Sequence, residues 1–218
     1  MKKFWKILVL SIFMFGLSGC QEDSLKNTQV YTTVYPIEYL VSYLYGEESN
    51  VSSIYPKGAD VLNYELTNKQ KEAYSKGKLF VYNGLTSEKE LAREFLNRNS
   101  DLLLIDVAYG LNYEYALEEL WLSPNNFLML AKNIRNNLVD YTTSTVMIEN
   151  INQKYEEIEE TLSFMDAELR SVATEAKKDG VSTLVVSSSK LAFLENYGFH
   201  VIVLNSDINE DSLKDSFD

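Results

Sequence analysis

The chain has 218 residues, 45% of them hydrophobic and 12% aromatic, which is too apolar and too aromatic for intrinsic disorder. Its 32 acidic groups against 20 basic ones give a formal net charge of −12. That balance argues against nucleic acid and against an electrostatic hold on anionic lipid, and mildly favours cations. A single cysteine and a single histidine, with no Gly-rich phosphate loop, CxxC pair or matched Ser-His-Asp set, leave no catalytic role to expect.

Lys2, Lys3 and Lys6 precede an apolar run over residues 7–17, interrupted only by Ser11 and Gly16. The run falls short of the roughly 20 apolar residues of a membrane-spanning helix. It has the length and flanks of a secretory signal, so residues 1–19 are expected to be removed on export. The run closes on Leu17-Ser18-Gly19-Cys20, which resembles the lipobox of bacterial lipoproteins. That resemblance implies a lipidated Cys20 as first mature residue, held to the outer face of the cytoplasmic membrane. Without residues 1–19 the chain keeps 17 basic and 32 acidic groups, a net charge near −15. The polar stretch 20–28 reads as a tether.

The first half alternates strand and helix signals. Residues 29–34 are β-rich, and Pro36 then opens a helix where proline is tolerated, with Tyr39/Tyr43 and Leu40/Leu44 at i, i+4 spacing. Residues 50–55 read as a strand closed by Pro56 and Gly58. Residues 67–76 read as a helix capped by Thr67. Residues 79–82 form a short apolar strand, 88–97 a helix and 102–107 a buried strand. Such alternation predicts a parallel sheet covered by helices.

The middle is helical. Residues 125–141 carry Leu128, Ile134 and Leu138 on one face. From Ile148, apolar residues recur at Ile151, Tyr155, Ile158, Leu162, Met165, Leu169, Val172 and Ala176. Steps of three and four make one stripe of a long helix, which Gly180 stops. Strand, short helix and strand follow over 182–186, 190–196 and 200–204. The expected architecture is α/β, with two lobes of parallel sheet covered by helices and one long rigid helix joining them. The expected divisions are an N-terminal lobe over 29–124, a helix pair over 125–180 and a partial C-terminal lobe over 181–218. Two strands and one helix cannot bury both faces of a parallel sheet, so the second lobe is expected to be truncated or completed by a partner.

Six blocks carry a family resemblance. They are Thr32-Thr33-Val34-Tyr35-Pro36-Ile37; Gly58-Ala59-Asp60-Val61-Leu62-Asn63-Tyr64-Glu65; Leu79-Phe80-Val81-Tyr82-Asn83-Gly84-Leu85; Trp121-Leu122-Ser123-Pro124-Asn125-Asn126; Met165-Asp166-Ala167-Glu168-Leu169-Arg170; and the stretch 185–198, ending in Tyr197-Gly198. Together they resemble the solute-binding lipoproteins of zinc and manganese ABC importers. The resemblance implies a cleft between two lobes, zinc or manganese as transported cargo, and an ABC permease and ATPase as partners. At the family's three ligand positions this chain has Leu62, Glu119 and Ser187. The family's fourth ligand, an Asp, would follow residue 218.

These departures leave several readings open. Neutral imidazoles suit zinc, whereas a carboxylate such as Glu119 suits manganese, calcium or magnesium. Glu119 reads as a ligand or as a solvated glutamate beside Glu118. Glu65 reads as a cation contact or as a structural group. Ser187, Ser188 and Ser189 could meet a polar solute, or Ser189 could cap the next helix. His200 reads as a hydrogen-bonded strand residue and not a ligand. Tyr31, Tyr35, Tyr39, Tyr43 and Tyr64 could line an aromatic pocket, though most read as packing. The alternative function is a surface lipoprotein, adhesin-like, that keeps the scaffold without binding a solute.

Overall fold

A computed structural model describes residues 25–46, 49–113 and 117–204. The signal segment, Cys20 and the residues after 204 lie outside the described residues. Four strands, β1 (Gln29–Thr32), β2 (Asn50–Ser53), β3 (Leu79–Tyr82) and β4 (Leu103–Asp106), form an all-parallel sheet in the order β2-β1-β3-β4. Helices α1 (Tyr35–Tyr45), α2 (Asn68–Tyr74) and α3 (Glu88–Arg98) make the crossovers. Then come α4 (Pro124–Tyr141) and the 34-residue α5 (Thr145–Lys178), about 50 Å long. Strands β5 (Thr183–Val186) and β6 (His200–Val203) form a second parallel sheet. Two 3₁₀ helices, Leu117–Leu122 and Ser189–Tyr197, complete the described chain.

Side-chain parity sorts the first sheet's residues between two cores. Val30, Leu79, Val81 and Ile105 point to one face, where they pack with Leu40 and Leu44 of α1, Ile134 and Leu138 of α4, and Ile151 and Ile158 of α5. Their neighbours Tyr31, Phe80 and Leu104 point to the other face, against Ala92 and Phe95 of α3. The β1-α1-β2 crossover runs one way from β1, and the path through α2 to β3 runs the other. Right-handed connections therefore place α1 and the α2–α3 pair on opposite faces. This leaves a crevice at the carboxyl ends of β1 and β3, where α/β sheets commonly bind ligands.

Local signals fix the helix ends. Thr67 and Gln70 make a reciprocal capping box on α2: Thr67 Oγ1 accepts from Gln70 N at 3.3 Å, and Thr67 N donates to Gln70 Oε1 at 2.9 Å. Ser123 caps α4, with Pro124 in its first turn. In the tether region, Leu25 is fully buried in the first core, so the chain is already docked there.

The stripe on α5 departs from its sequence reading. Ile151, Ile158 and Leu162 are buried as expected, but Met165 is 47% and Val172 59% exposed, and Ala173 is buried instead. A straight α-helix drifts about 20° per heptad from a 3.5-residue repeat. Beyond Leu162 the buried face has moved by one position, and there α5 meets the second lobe through Leu169, Ala173, Phe193 and Tyr197. The segment expected as a short helix over 190–196 is instead the second 3₁₀ helix. The first 3₁₀ helix was not expected. Among the described residues no helix is long and apolar enough to cross a membrane.

Candidate functional site: the cleft between the lobes

The cleft is built by loops that leave the carboxyl ends of the first sheet. The β2 loop carries the first family position. Asp60 organises it: its carboxylate accepts from Leu62 N at 3.1 Å and Asn63 Nδ2 at 2.7 Å, and its carbonyl accepts from Tyr64 N at 2.8 Å. Hydrogen bonds from the Asn63 amide and the Leu62 N–H, with the Lys190 ammonium of the second lobe adding to them, hold the Asp60 carboxyl below the usual carboxylate range. Leu62 stands at the tip of this turn, 69% exposed.

The β3 loop places the second position. Asn83 is buried, and its Nδ2 donates to Leu117 O at 2.7 Å, pinning the start of the first 3₁₀ helix. That helix carries Glu119 in its backbone; the Glu119 side chain lies outside the described residues. Asn83 N donates to Glu88 Oε2 at 2.8 Å, and Gly84 N donates to Asp106 Oδ1 at 2.9 Å. A Cβ on Gly84 would lie 1.9 Å from Asp106 Oδ2, so this approach requires glycine.

The third position comes from the second lobe. Ser187 follows β5 and is exposed. The cap of the next helix is Ser188, not Ser189: Ser188 Oγ accepts from Lys190 N at 3.3 Å. The two 3₁₀ helices pack against each other, so the segment after Ser187 faces the one that carries Glu119.

Beside the cleft, a cavity of about 440 Å³ is walled by Tyr35, Tyr55, Trp121, Lys57 and Val61. Lys57 Nζ sits 5.5 Å from the centre of the Tyr35 ring. The other tyrosines disperse. Tyr39 and Tyr43 stack at 6.0 Å and line a groove against α5, Tyr31 packs on Tyr74, and Tyr64 packs on Tyr55. Glu65 is exposed and lines a second groove with Lys71, Glu90 and Glu94. His200 begins β6 exposed, with its backbone N donating to Ser182 O at 2.8 Å. Among the described residues no three His, Cys, Asp or Glu side chains converge as a metal cluster. Among the described residues, the Leu62 turn and Ser187 bring no imidazole with them.

Two α/β lobes on one long helix, with sheet loops converging on the cleft between them, define a bilobal binding-protein fold. The chain belongs to the ZnuA family (Zinc-uptake complex component A periplasmic), whose family model it matches over residues 30–215. It is 24% identical over 191 residues to the iron-binding protein YfeA of Yersinia pestis, covering 84% of this chain and 60% of that protein. It is 23% identical over 210 residues to the manganese-binding lipoprotein MntA of Halalkalibacterium halodurans, covering 90% of this chain and 67% of that one. Its fold matches the metal-dependent lipoprotein YcdH of Bacillus subtilis with a TM-score of 0.73, 19% identity, and coverage of 86% of this chain and 72% of that one.

Proposed function

We propose that this chain is the extracytoplasmic solute-binding lipoprotein of an ABC importer for a divalent metal, held at the membrane by a lipidated Cys20. An ABC permease and its ATPase are the partners that would receive the cargo. The observation that carries the reading is the family match over residues 30–215, with the two parallel sheets and the long helix of the structure in support of it.

Leu62, Glu119 and Ser187 offer one carboxylate and one hydroxyl in place of nitrogen donors. Such a set suits manganese better than it suits zinc, which draws its tight binding from imidazole and thiolate. Glu119 is the principal ligand in this reading, with Ser187 adding an oxygen and Glu65 a second candidate carboxylate. Equilibrium dialysis of the mature chain against manganese, zinc and iron(II) tests it. One manganese per chain is expected, with zinc losing the large advantage that a histidine site gives it.

A second reading is favoured by one observation: an exposed leucine at a ligand position. The chain would then be a surface lipoprotein, adhesin-like, that kept the scaffold and binds no metal. Dialysis that leaves no divalent metal on the protein supports this reading.

A further inference from the structure

The described part of the second lobe is attached by little apolar packing. Among the described residues only Ala173, Phe193 and Tyr197 are buried in that contact, with Tyr113, Leu169, Leu194 and Phe199 partly buried around them. Non-directional packing on that scale permits a range of lobe angles. Directional contacts must select one, and they converge on a single carboxylate in mid-helix.

We propose that Asp166 is the interlobe positioning residue: its carboxylate ties the N-terminus of α4, the linking helix and the second 3₁₀ helix together, and so sets the width of the cleft. Asn125 Nδ2 donates to Asp166 Oδ1 at 2.9 Å, and Tyr197 OH donates to the same oxygen at 2.8 Å. Arg170 Nε donates to Oδ2 at 2.8 Å. Asn125 belongs to the first lobe's packing and Tyr197 to the second lobe, and they lie 41 and 31 residues from Asp166 in sequence. The Arg170 guanidinium lies 5.4 Å from the Tyr197 ring centre, which clamps the tyrosine from a second side. Lys177 Nζ donates to Tyr197 O at 3.0 Å. Gly198 follows with a φ of +79°, a left-handed turn that favours glycine. An amide is a poor replacement: its NH2 group would face the Arg170 guanidinium where Oδ2 accepts, and the one oxygen left to Asn125 and Tyr197 would carry no charge.

The charged and titratable groups facing Asp166 are Arg170 on its own helix and Tyr197 on the second 3₁₀ helix; α4 contributes the uncharged Asn125. Burial raises the Asp166 carboxyl, but the bonds from Arg170, Tyr197 and Asn125 outweigh it and leave the group below its ordinary value. The tie is therefore present at neutral pH and is lost as pH falls below the ordinary aspartate range.

The inference stands whether or not a metal enters the cleft. Its test uses the mature chain with Cys20→Ser, which leaves no native thiol, and spin labels on Leu62→Cys and Ser187→Cys, both exposed and on opposite sides of the cleft. Electron spin resonance then reads the distance between them. The wild-type background is expected to give one narrow distance at pH 7. Asp166→Asn is expected to broaden it at least twofold, while unfolding stays cooperative. Tyr197→Phe, which removes one donor and keeps the ring under Arg170, is expected to broaden it less; it also serves if Asp166→Asn fails to fold. Acidification below the ordinary aspartate range should broaden the distance in the wild-type background and leave Asp166→Asn unchanged. An unaltered narrow distance in both variants overturns the proposal, as does an acid response that survives in Asp166→Asn.

Discussion

Asn83 shows how much of the cleft depends on single residues whose partners are far away in sequence. Its side chain holds Leu117, 34 residues on, and through it the turn that carries Glu119. Asn83→Ala should lower stability by about 1–3 kcal/mol, because it leaves a carbonyl unpaired beside a buried site. Urea unfolding with an unchanged slope and a lower midpoint is the expected result. Gly84→Ala should be at least as damaging, since the new methyl meets the Asp106 carboxylate. Cys20→Ser should move the exported chain from the membrane to the soluble fraction and abolish incorporation of labelled fatty acid. The positions Leu62, Glu119 and Ser187 were legible only as substitutions within a resembling pattern. Asn83 lay in plain view in the third block, but nothing local to that block names its partner. Asp60 was equally visible, and its two-residue reach to Leu62 N is the kind of Asx turn that sequence reading can find.

At the scale of elements, strands and helices were read from periodicity, and each strand appears within two residues of its expected bounds. The signals were local: apolar runs of four, a capping box at Thr67, prolines at two helix starts. Thr67→Ala should cost about 1 kcal/mol, measured by thermal unfolding. The first 3₁₀ helix was missed because six residues are too few for a period, and its placement depends on Asn83. The stripe on α5 was read as one face because steps of three and four fit a period of 3.5, whereas the helix turns every 3.6 residues. That difference is testable. Val172→Lys should change stability by less than about 0.5 kcal/mol, whereas Leu162→Ala, at 8% exposure, should cost about 2–4 kcal/mol.

At the scale of the molecule, the two lobes are unequal in how they are held. The first has a core on each face of a four-stranded sheet. The second meets α5 through a small cluster and a polar tie, so local opening should begin there. Alkaline pH probes the same junction. Burial, then the Asp166 hydrogen bond, push the Tyr197 hydroxyl up to about 12. The folded state therefore keeps Tyr197 neutral where the unfolded chain has begun to ionise, and this stabilisation is lost as pH rises from about 10 towards 12. An ultraviolet titration should show a late-ionising group of tyrosines in the folded protein, smaller by one in folded Tyr197→Phe, and no late group in the wild-type chain unfolded in urea. The two-lobe architecture was legible because α/β alternation stops at one long helix and resumes after it. How the lobes lock was not, because Asn125, Asp166 and Tyr197 meet only once α4, α5 and the second lobe have packed.

Calorimetric titration of the mature chain with manganese, beside Glu119→Ala, tests the account most directly. One manganese site per chain is expected, weakened about tenfold or more by the substitution, equivalent to about 1.4 kcal/mol or more. No binding of manganese, zinc or iron(II), or a site that Glu119→Ala leaves untouched, would contradict it.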